Sequence, residues 1–156
     1  MGFLRGSVSP QPLAAIENFE GPYRFLSNFA SIERGIEFEG RRYPSVENAY
    51  QAAKTFDPAL RAQIAAATPG QAKRMGQKLG LRPDWERVKL ALMADLVSRK
   101  FSHEPFRSAL LATGDAVIIE GNPWGDRFWG VCDGSGANHL GLILTRVRAD
   151  LRARTR

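Results

Sequence analysis

Cysteine, histidine and long apolar runs are all scarce in this sequence of 156 residues. The single cysteine, Cys132, excludes an internal disulfide framework, and with only two histidines it argues against a structural zinc site. No run of eighteen apolar residues occurs, so no transmembrane helix is predicted. Residues 1–12 also lack the apolar core of a secretory signal peptide. These features together predict a cytoplasmic protein with no membrane partner.

The motifs of several common enzyme classes are missing as well. The sequence contains no GxxxxGK(S/T), GxGxxG, HExxH or GxSxG. A P-loop nucleotide hydrolase, a Rossmann dehydrogenase, a zincin and a serine hydrolase therefore have no support.

Positive charge is abundant but unevenly placed. Most of the net charge of +6 lies in residues 146–156, which hold five arginines and one aspartate. A solvated helix end, where arginines complement the helix dipole, is the favoured interpretation. A contact with nucleic acid is the alternative.

The order of local signals predicts a helix-rich α+β fold with a few short strands. An extended segment is predicted from Ile16 to Asn28, a hairpin over Ile36–Tyr43 and a strand over Ala116–Ile119. Apolar residues at helical spacing predict the helices. These start at Ser45, Asp57-Pro58, Thr68-Pro69 (ending near Gly80) and Arg82-Pro83, and two more cover Ser102–Ala112 and the chain from Ala137. We predict a loosely ordered lead over residues 1–15, one domain over residues 16–153 and a basic tail end over residues 154–156.

A glycine-rich loop over residues 121–136 is longer than a compact domain needs. It contains Trp124, Phe128 and Trp129, so we do not expect it to be disordered. Among these rings, Asp126 is placed to stabilise a developing cation. A turn aspartate that binds its own backbone explains the residue equally well.

The helix that follows Ser45 carries Glu47, Gln51 and Lys54 on one face, because they stand at positions i, i+4 and i+7. Spacing alone favours a solvated face, with Glu47 near the positive end of the helix dipole. Spacing likewise favours a core position for Trp85. For residues 73–78 it favours an exposed basic face over a phosphate site.

Several segments together resemble the YbiA-like family, also called NADAR after NAD and ADP-ribose. The match covers about residues 19–151, and the order and spacing of its pieces are specific. The pieces are FLSNF (25–29), YPSVENAYQAAK (43–54), AKRMG (72–76), LRPDWERVK (81–89), KF (100–101), LLATGDAVIIEGN (110–122), WGDRFWG (124–130) and GSGANHLGLIL (134–144).

The resemblance implies a YbiA-like fold and N-glycosidase chemistry. The implied substrates are early phosphorylated intermediates of riboflavin synthesis or ADP-ribose attached to guanine in nucleic acid. The stretch between Trp129 and Asn138 is shorter than in some members, which leaves the choice of substrate open. No metal or other cofactor is expected.

The resemblance also implies the site residues. Matched to the motifs of the family, the expected catalytic residues are Glu47, Lys54, Trp85 and Asp126. The expected substrate-binding residues are Arg24, Ser27, Asn28, Phe29, Tyr50, Gln51, Lys73, Trp124, Trp129 and Asn138.

N-glycoside cleavage passes through a transition state with positive charge at C1 of the ribose. A carboxylate, Glu47 or Asp126, stabilises this charge or activates water. Lys54 has three open roles: it donates a proton, binds phosphate, or attacks C1 to form an imine. The alternative function is a non-catalytic module that binds ADP-ribose or nucleic acid, which would not need paired carboxylates.

Overall fold

The computed structural model describes residues 14–155, so the predicted loose lead lies almost wholly outside it. The described chain has four short strands, β1 Ala15–Ile16, β2 Ile36–Phe38, β3 Arg41–Tyr43 and β4 Val117–Ile118. Its α-helices are α1 Val46–Ala52, α2 Pro58–Ala65, α3 Pro69–Gln77, α4 Trp85–Phe101, α5 Phe106–Ala112 and α6 His139–Arg154. The prediction of a helix-rich α+β fold is confirmed, whereas the predicted domain limits stay a prediction.

The strands form two separate pairs. β2 and β3 are antiparallel with Ile36 opposite Tyr43, as the predicted hairpin requires. Their turn has positive φ at both Glu39 (45°) and Gly40 (78°), the geometry of a tight two-residue hairpin turn. β1 pairs in parallel with β4. The rest of the predicted extended segment is mostly a 3-10 helix over Gly21–Leu26, which has a proline in its first turn.

Three predicted helix starts are confirmed by their caps. The Ser45 hydroxyl accepts a hydrogen bond from the Asn48 amide at 3.1 Å, and Asp57 accepts one from the Ala59 amide at 2.8 Å. Thr68 forms a capping box with Gln71. Each cap satisfies an amide that has no partner within its helix, which fixes where the helix begins.

The start predicted for α5 at Ser102 is wrong. The Ser102 amide donates to the Ser98 carbonyl at 3.1 Å, so this residue terminates α4 instead. Pro105 then disfavours a helical conformation at Glu104. Consequently α5 begins only at Phe106.

Helix α1 lies at the centre of the domain. It packs against α2, α3, α4 and both strands of the hairpin. All 7 of its residues are buried, including the polar ones. On the other side of the core, α4 packs against α5 and α6. None of the helices within residues 14–155 is long and apolar enough to span a membrane.

The arginines of α6 mostly serve the fold. Arg148 is buried and donates to the Thr113 hydroxyl at 2.8 Å, and Arg152 pairs with Asp115 at 2.9 Å. Arg146 pairs with Asp150 within the helix at 3.2 Å. The contacts of Arg148 and Arg152 thus fasten α6 to the turn after α5, so these charges are used within the fold. The interpretation as a solvated helix end is wrong for Arg148, which is buried.

Candidate active site

A cavity of about 650 Å³ lies between α1, α3, the 3-10 helix and the loop that follows β4. All the predicted site residues except Trp85 and Asn138 line it. The lining residues discussed below fall into three groups, here named the helix wall, the loop wall and the mouth. The helix wall consists of Glu47, Tyr50 and Gln51 on α1 and of Lys54 just after its C-terminal end. The loop wall consists of Glu120, Asp126 and Trp129, and the mouth of the exposed residues Glu20, Arg24, Arg74, Gln77 and Trp124.

Glu47 is the buried carboxyl of the helix wall, with a relative exposure of only 7%. Gln51 Nε2 donates to its Oε1 at 2.8 Å. Burial raises the pKa of Glu47, against the opposing effects of the Gln51 hydrogen bond and of the charges on Lys73 and Lys54. The interpretation of this helix face as solvated is therefore wrong, because other elements surround α1 on all sides.

Gly76 of α3 packs directly against this polar pair. A β-carbon at position 76 would lie 1.7 Å from Gln51 Oε1, far inside contact distance. Only glycine lets the two helices approach this closely. The glycine of the AKRMG segment thus has a physical role, because it leaves room for the side chain that holds Glu47.

Lys54 stands at the end of α1, half-buried beside aromatic rings. Its Nζ lies 5.5 Å from the centre of the Tyr50 ring and 5.8 Å from that of Trp85. Burial lowers the pKa of Lys54, and the nearby charge of Glu47 opposes this shift. A larger fraction of neutral amine is therefore available than on an exposed lysine.

Trp85 does not line the cavity. It is buried and packs behind Tyr50, with the ring centres 5.1 Å apart. A base bound in the cavity would meet Tyr50 first, so direct stacking on Trp85 has no support from this arrangement. Trp85 therefore occupies the core position that its spacing favours, and it supports the helix wall by packing against Tyr50.

Asp126 of the loop wall is compatible with both interpretations made from the sequence, a turn aspartate and a carboxyl group of the site. Its Oδ1 accepts hydrogen bonds from the amides of Phe128 at 3.0 Å and Trp129 at 2.8 Å. It is therefore a turn aspartate, and it also lines the cavity. Trp129 in turn meets the Tyr50 ring edge-to-face at 5.6 Å, which joins the loop wall to the helix wall.

Asn138 lies outside the cavity because main-chain groups occupy its amide. Its Nδ2 donates to the Ile118 carbonyl at 2.9 Å, and its Oδ1 accepts from the Glu120 amide at 3.0 Å. Its φ of 53° places it in the left-handed region at the start of α6. The predicted substrate contact of Asn138 stays a prediction, and in this structure its side chain ties together the two ends of the loop.

The basic stretch of α3 is divided between cavity and solvent. Lys73 is half-buried and lines the cavity, with its Nζ 5.5 Å from the Trp124 ring centre. Arg74 belongs to the mouth, whereas Lys78 is exposed outside the cavity. The exposed-face interpretation is therefore right for Lys78 and wrong for Lys73.

The model of the NADAR domain family matches residues 16–152. The chain belongs to the NADAR family. It is 40% identical to an N-glycosidase of Nostoc punctiforme over 84% of this chain and 87% of that protein. The NMR structure of the Escherichia coli protein YbiA matches this NADAR fold with a TM-score of 0.79 and 32% identity, covering 96% of this chain and 92% of that one.

A riboflavin biosynthesis protein of Vibrio vulnificus is also related to this NADAR chain. It is 35% identical over 95% of this chain, which covers 41% of the longer relative. The resemblance inferred from the sequence motifs is thus confirmed. The family includes N-glycosidases, which are hydrolases of N-glycosyl bonds.

Some lining residues of this NADAR cavity were not predicted from the sequence. Most of them provide shape or extend the mouth, and they are Phe19, Glu20, Gly70, Arg74, Gln77, Met93, Gly121 and Leu140. One is a further carboxyl, Glu120. Its signals in the sequence are its place in the LLATGDAVIIEGN segment of the family match and its position at the end of a strand, directly before the long loop.

Proposed function

We propose that this NADAR chain hydrolyses the bond between a base or amine and C1 of a phosphorylated ribose. One observation carries the proposal: Glu47 and Asp126, distant in sequence, line the same cavity as the cationic side chains Lys54 and Lys73. A binding module has no need of paired carboxylates beside a buried amine, whereas glycoside hydrolysis uses carboxylates in this way.

The two carboxyls suit different roles because their surroundings differ. Two backbone amides donate to Asp126 Oδ1, which fixes this side chain in the loop wall as a stabiliser of positive charge at C1. Burial raises the pKa of Glu47, which makes it a better proton acceptor from an attacking water. Such a difference in environment commonly separates the roles of paired catalytic carboxyls.

The lowered pKa of Lys54 favours the attacking role among its three alternatives. A neutral amine near Glu47 is a nucleophile, whereas a phosphate ligand would be best as a fully charged ammonium. In that role the amine nitrogen bonds to C1 as the base departs, and water later releases the sugar from the lysine.

The mouth supports a substrate that carries phosphate and an aromatic group. Arg24 and Arg74 supply positive charge, and Trp124 presents a ring that is 62% exposed beside the Lys73 ammonium. An ADP-ribosyl substrate would place its pyrophosphate among these cations and its adenine on Trp124. A phosphorylated riboflavin intermediate would use the cations alone.

The test is a paired incubation with guanine-ADP-ribosylated DNA and with early phosphorylated riboflavin intermediates. Mass spectrometry would detect the released sugar phosphate for the wild type, Glu47→Gln and the control Glu37→Gln, whose carboxylate is exposed and paired only with Arg42. We expect release by the wild type and the control but not by Glu47→Gln. Silence of the wild type on both substrates, together with tight ADP-ribose binding, would instead establish a binding module.

A further inference from the structure

Glu120 occupies a rigid position where the chain leaves β4 and enters the loop. Its amide donates to Asn138 Oδ1 at 3.0 Å, and its carbonyl accepts from the Val131 amide at 2.9 Å. Main-chain hydrogen bonds therefore fix the residue on both sides. Since it also lines the cavity, its carboxyl is held at a defined place in the loop wall.

The carboxyl itself is held through one oxygen only. Asn122 Nδ2 donates to Oε2 at 3.0 Å, and a β-carbon at Gly130 would lie 1.7 Å from the same atom. Glycine at position 130 thus leaves the space that the carboxyl occupies. Among the described residues, 14–155, no donor forms a hydrogen bond with Oε1, which leaves this oxygen available to a bound substrate.

The surroundings of Glu120 favour a protonated carboxyl near neutral pH. Burial, and then the negative charge of Asp126, raise its pKa to about 7, while the Asn122 hydrogen bond and Lys73 on α3 act in the opposite direction. Asn122 also accepts from the Asp126 amide at 3.0 Å, so it fixes the two carboxyl residues relative to each other. The loop wall thus holds two carboxyl groups in fixed relative positions, and that of Glu120 is suited to give up a proton.

We propose that Glu120 is a general acid that protonates the leaving base, a role that rests on the N-glycosidase function proposed above. When the C1–N bond breaks, its electron pair goes to the base nitrogen, which takes the proton from the Glu120 carboxyl. A water oxygen bonds to C1, directly or after a Lys54 adduct, and Glu47 accepts the proton of that water. The free base and the sugar with its new C1 hydroxyl leave, and proton exchange with solvent restores both glutamates.

The test compares Glu120→Gln with the wild type and with the exposed control Glu37→Gln, on whichever of the two substrates the wild type cleaves. Glutamine keeps an oxygen to accept from Asn122, so the loop retains its hydrogen bond. We expect kcat to fall by about 100-fold or more with little change in KM. The alkaline fall in wild-type activity above about pH 7 should be absent from the variant and present in the control.

A second measurement needs no substrate. Carbon-13 NMR of the glutamate carboxyls should show a resonance that titrates near pH 7 in the wild type and in Glu47→Gln and is missing from Glu120→Gln. Titration of that resonance in the ordinary glutamate range would overturn the role, as would a variant with wild-type kcat and an unchanged pH profile. Failure of the wild type to cleave either substrate would overturn the proposed function as well, so the two failures are distinguishable.

Discussion

The helix wall and the loop wall bring carboxyls to one cavity by different physical means. On the helix wall, packing of α1 against its neighbours buries Glu47, and the Gln51 hydrogen bond with the charges of Lys73 and Lys54 compensates this burial in part. On the loop wall, side-chain hydrogen bonds with the backbone position Glu120 and Asp126. The helix wall thus gains reactivity from desolvation, at a cost in stability. The loop wall depends instead on a hydrogen-bond network that single substitutions can break.

Glu47→Gln should have the largest effect on activity and the opposite effect on stability. We expect kcat to fall by about 100- to 1,000-fold, as when a positioned electrostatic group is removed. The folded-state pKa of Glu47 is raised, so ionisation disfavours the folded state, and wild-type stability falls as pH rises from the ordinary glutamate range through the folded pKa. Glutamine does not ionise, so the Tm of the variant minus that of the wild type should increase as pH rises above the ordinary glutamate range. A Tm difference that is constant with pH would contradict this account of the helix wall.

Lys54→Arg tests whether the helix wall supplies an amine or only a charge. We expect a loss in kcat of about 100-fold, because a guanidinium remains protonated and cannot attack C1. The matched control is Lys78→Arg, since Lys78 is exposed outside the cavity. Borohydride should trap a sugar adduct on the wild type and not on the variant. Retained activity without trapping would assign Lys54 to charge stabilisation.

Asn122→Ala tests the hydrogen-bond network of the loop wall. It removes the bonds from Asn122 to the Glu120 carboxyl and to the main chain of Asp126. We expect the free energy of unfolding to fall by about 1–3 kcal/mol, the usual cost of leaving buried partners unsatisfied, and kcat to fall with it. Asn18→Ala, at an exposed asparagine outside the cavity, is the control. Unchanged stability would show that the loop is held by its aromatic contacts instead.

Trp124→Ala should have the smallest effect, and on KM alone. Stacking of a base on an aromatic side chain contributes about 1–3 kcal/mol, so an ADP-ribosyl substrate should show a KM raised by about tenfold. Phe56→Ala is a matched control, because both rings are 62% exposed and Phe56 lies outside the cavity. An unchanged KM in Trp124→Ala would favour a substrate without a second base.

Local chemistry made much of the fold predictable. Ser45, Asp57 and Thr68 cap helices by contacts within three residues, which a linear sequence displays directly. The burial of Glu47 was not predictable from spacing, because it depends on how many elements pack around α1. The family motifs selected this glutamate, although periodicity favoured a solvated face.

Two predicted site residues that lie outside the cavity also show what the sequence alone could not predict. Trp85 and Asn138 belong to the family motifs, yet one supports Tyr50 and the other binds main-chain groups of the loop. A motif marks residues that a site requires, and it does not distinguish those that face the cavity from those behind it. Glu120 also belongs to a family motif and does line the cavity, but its environment could not be predicted, because tertiary contacts with Asn122 and Gly130 create it.

The contact between Gly76 and Gln51 has a consequence for how this enzyme can be redesigned. Position 76 of α3 supplies neither acid nor base, yet it limits how the site can change. Even one methyl group at this position would displace Gln51, the side chain that holds Glu47. Laboratory evolution toward new substrates should therefore accumulate changes at the mouth and leave position 76 untouched. The geometry around Glu47 therefore depends on a position that must have no side chain.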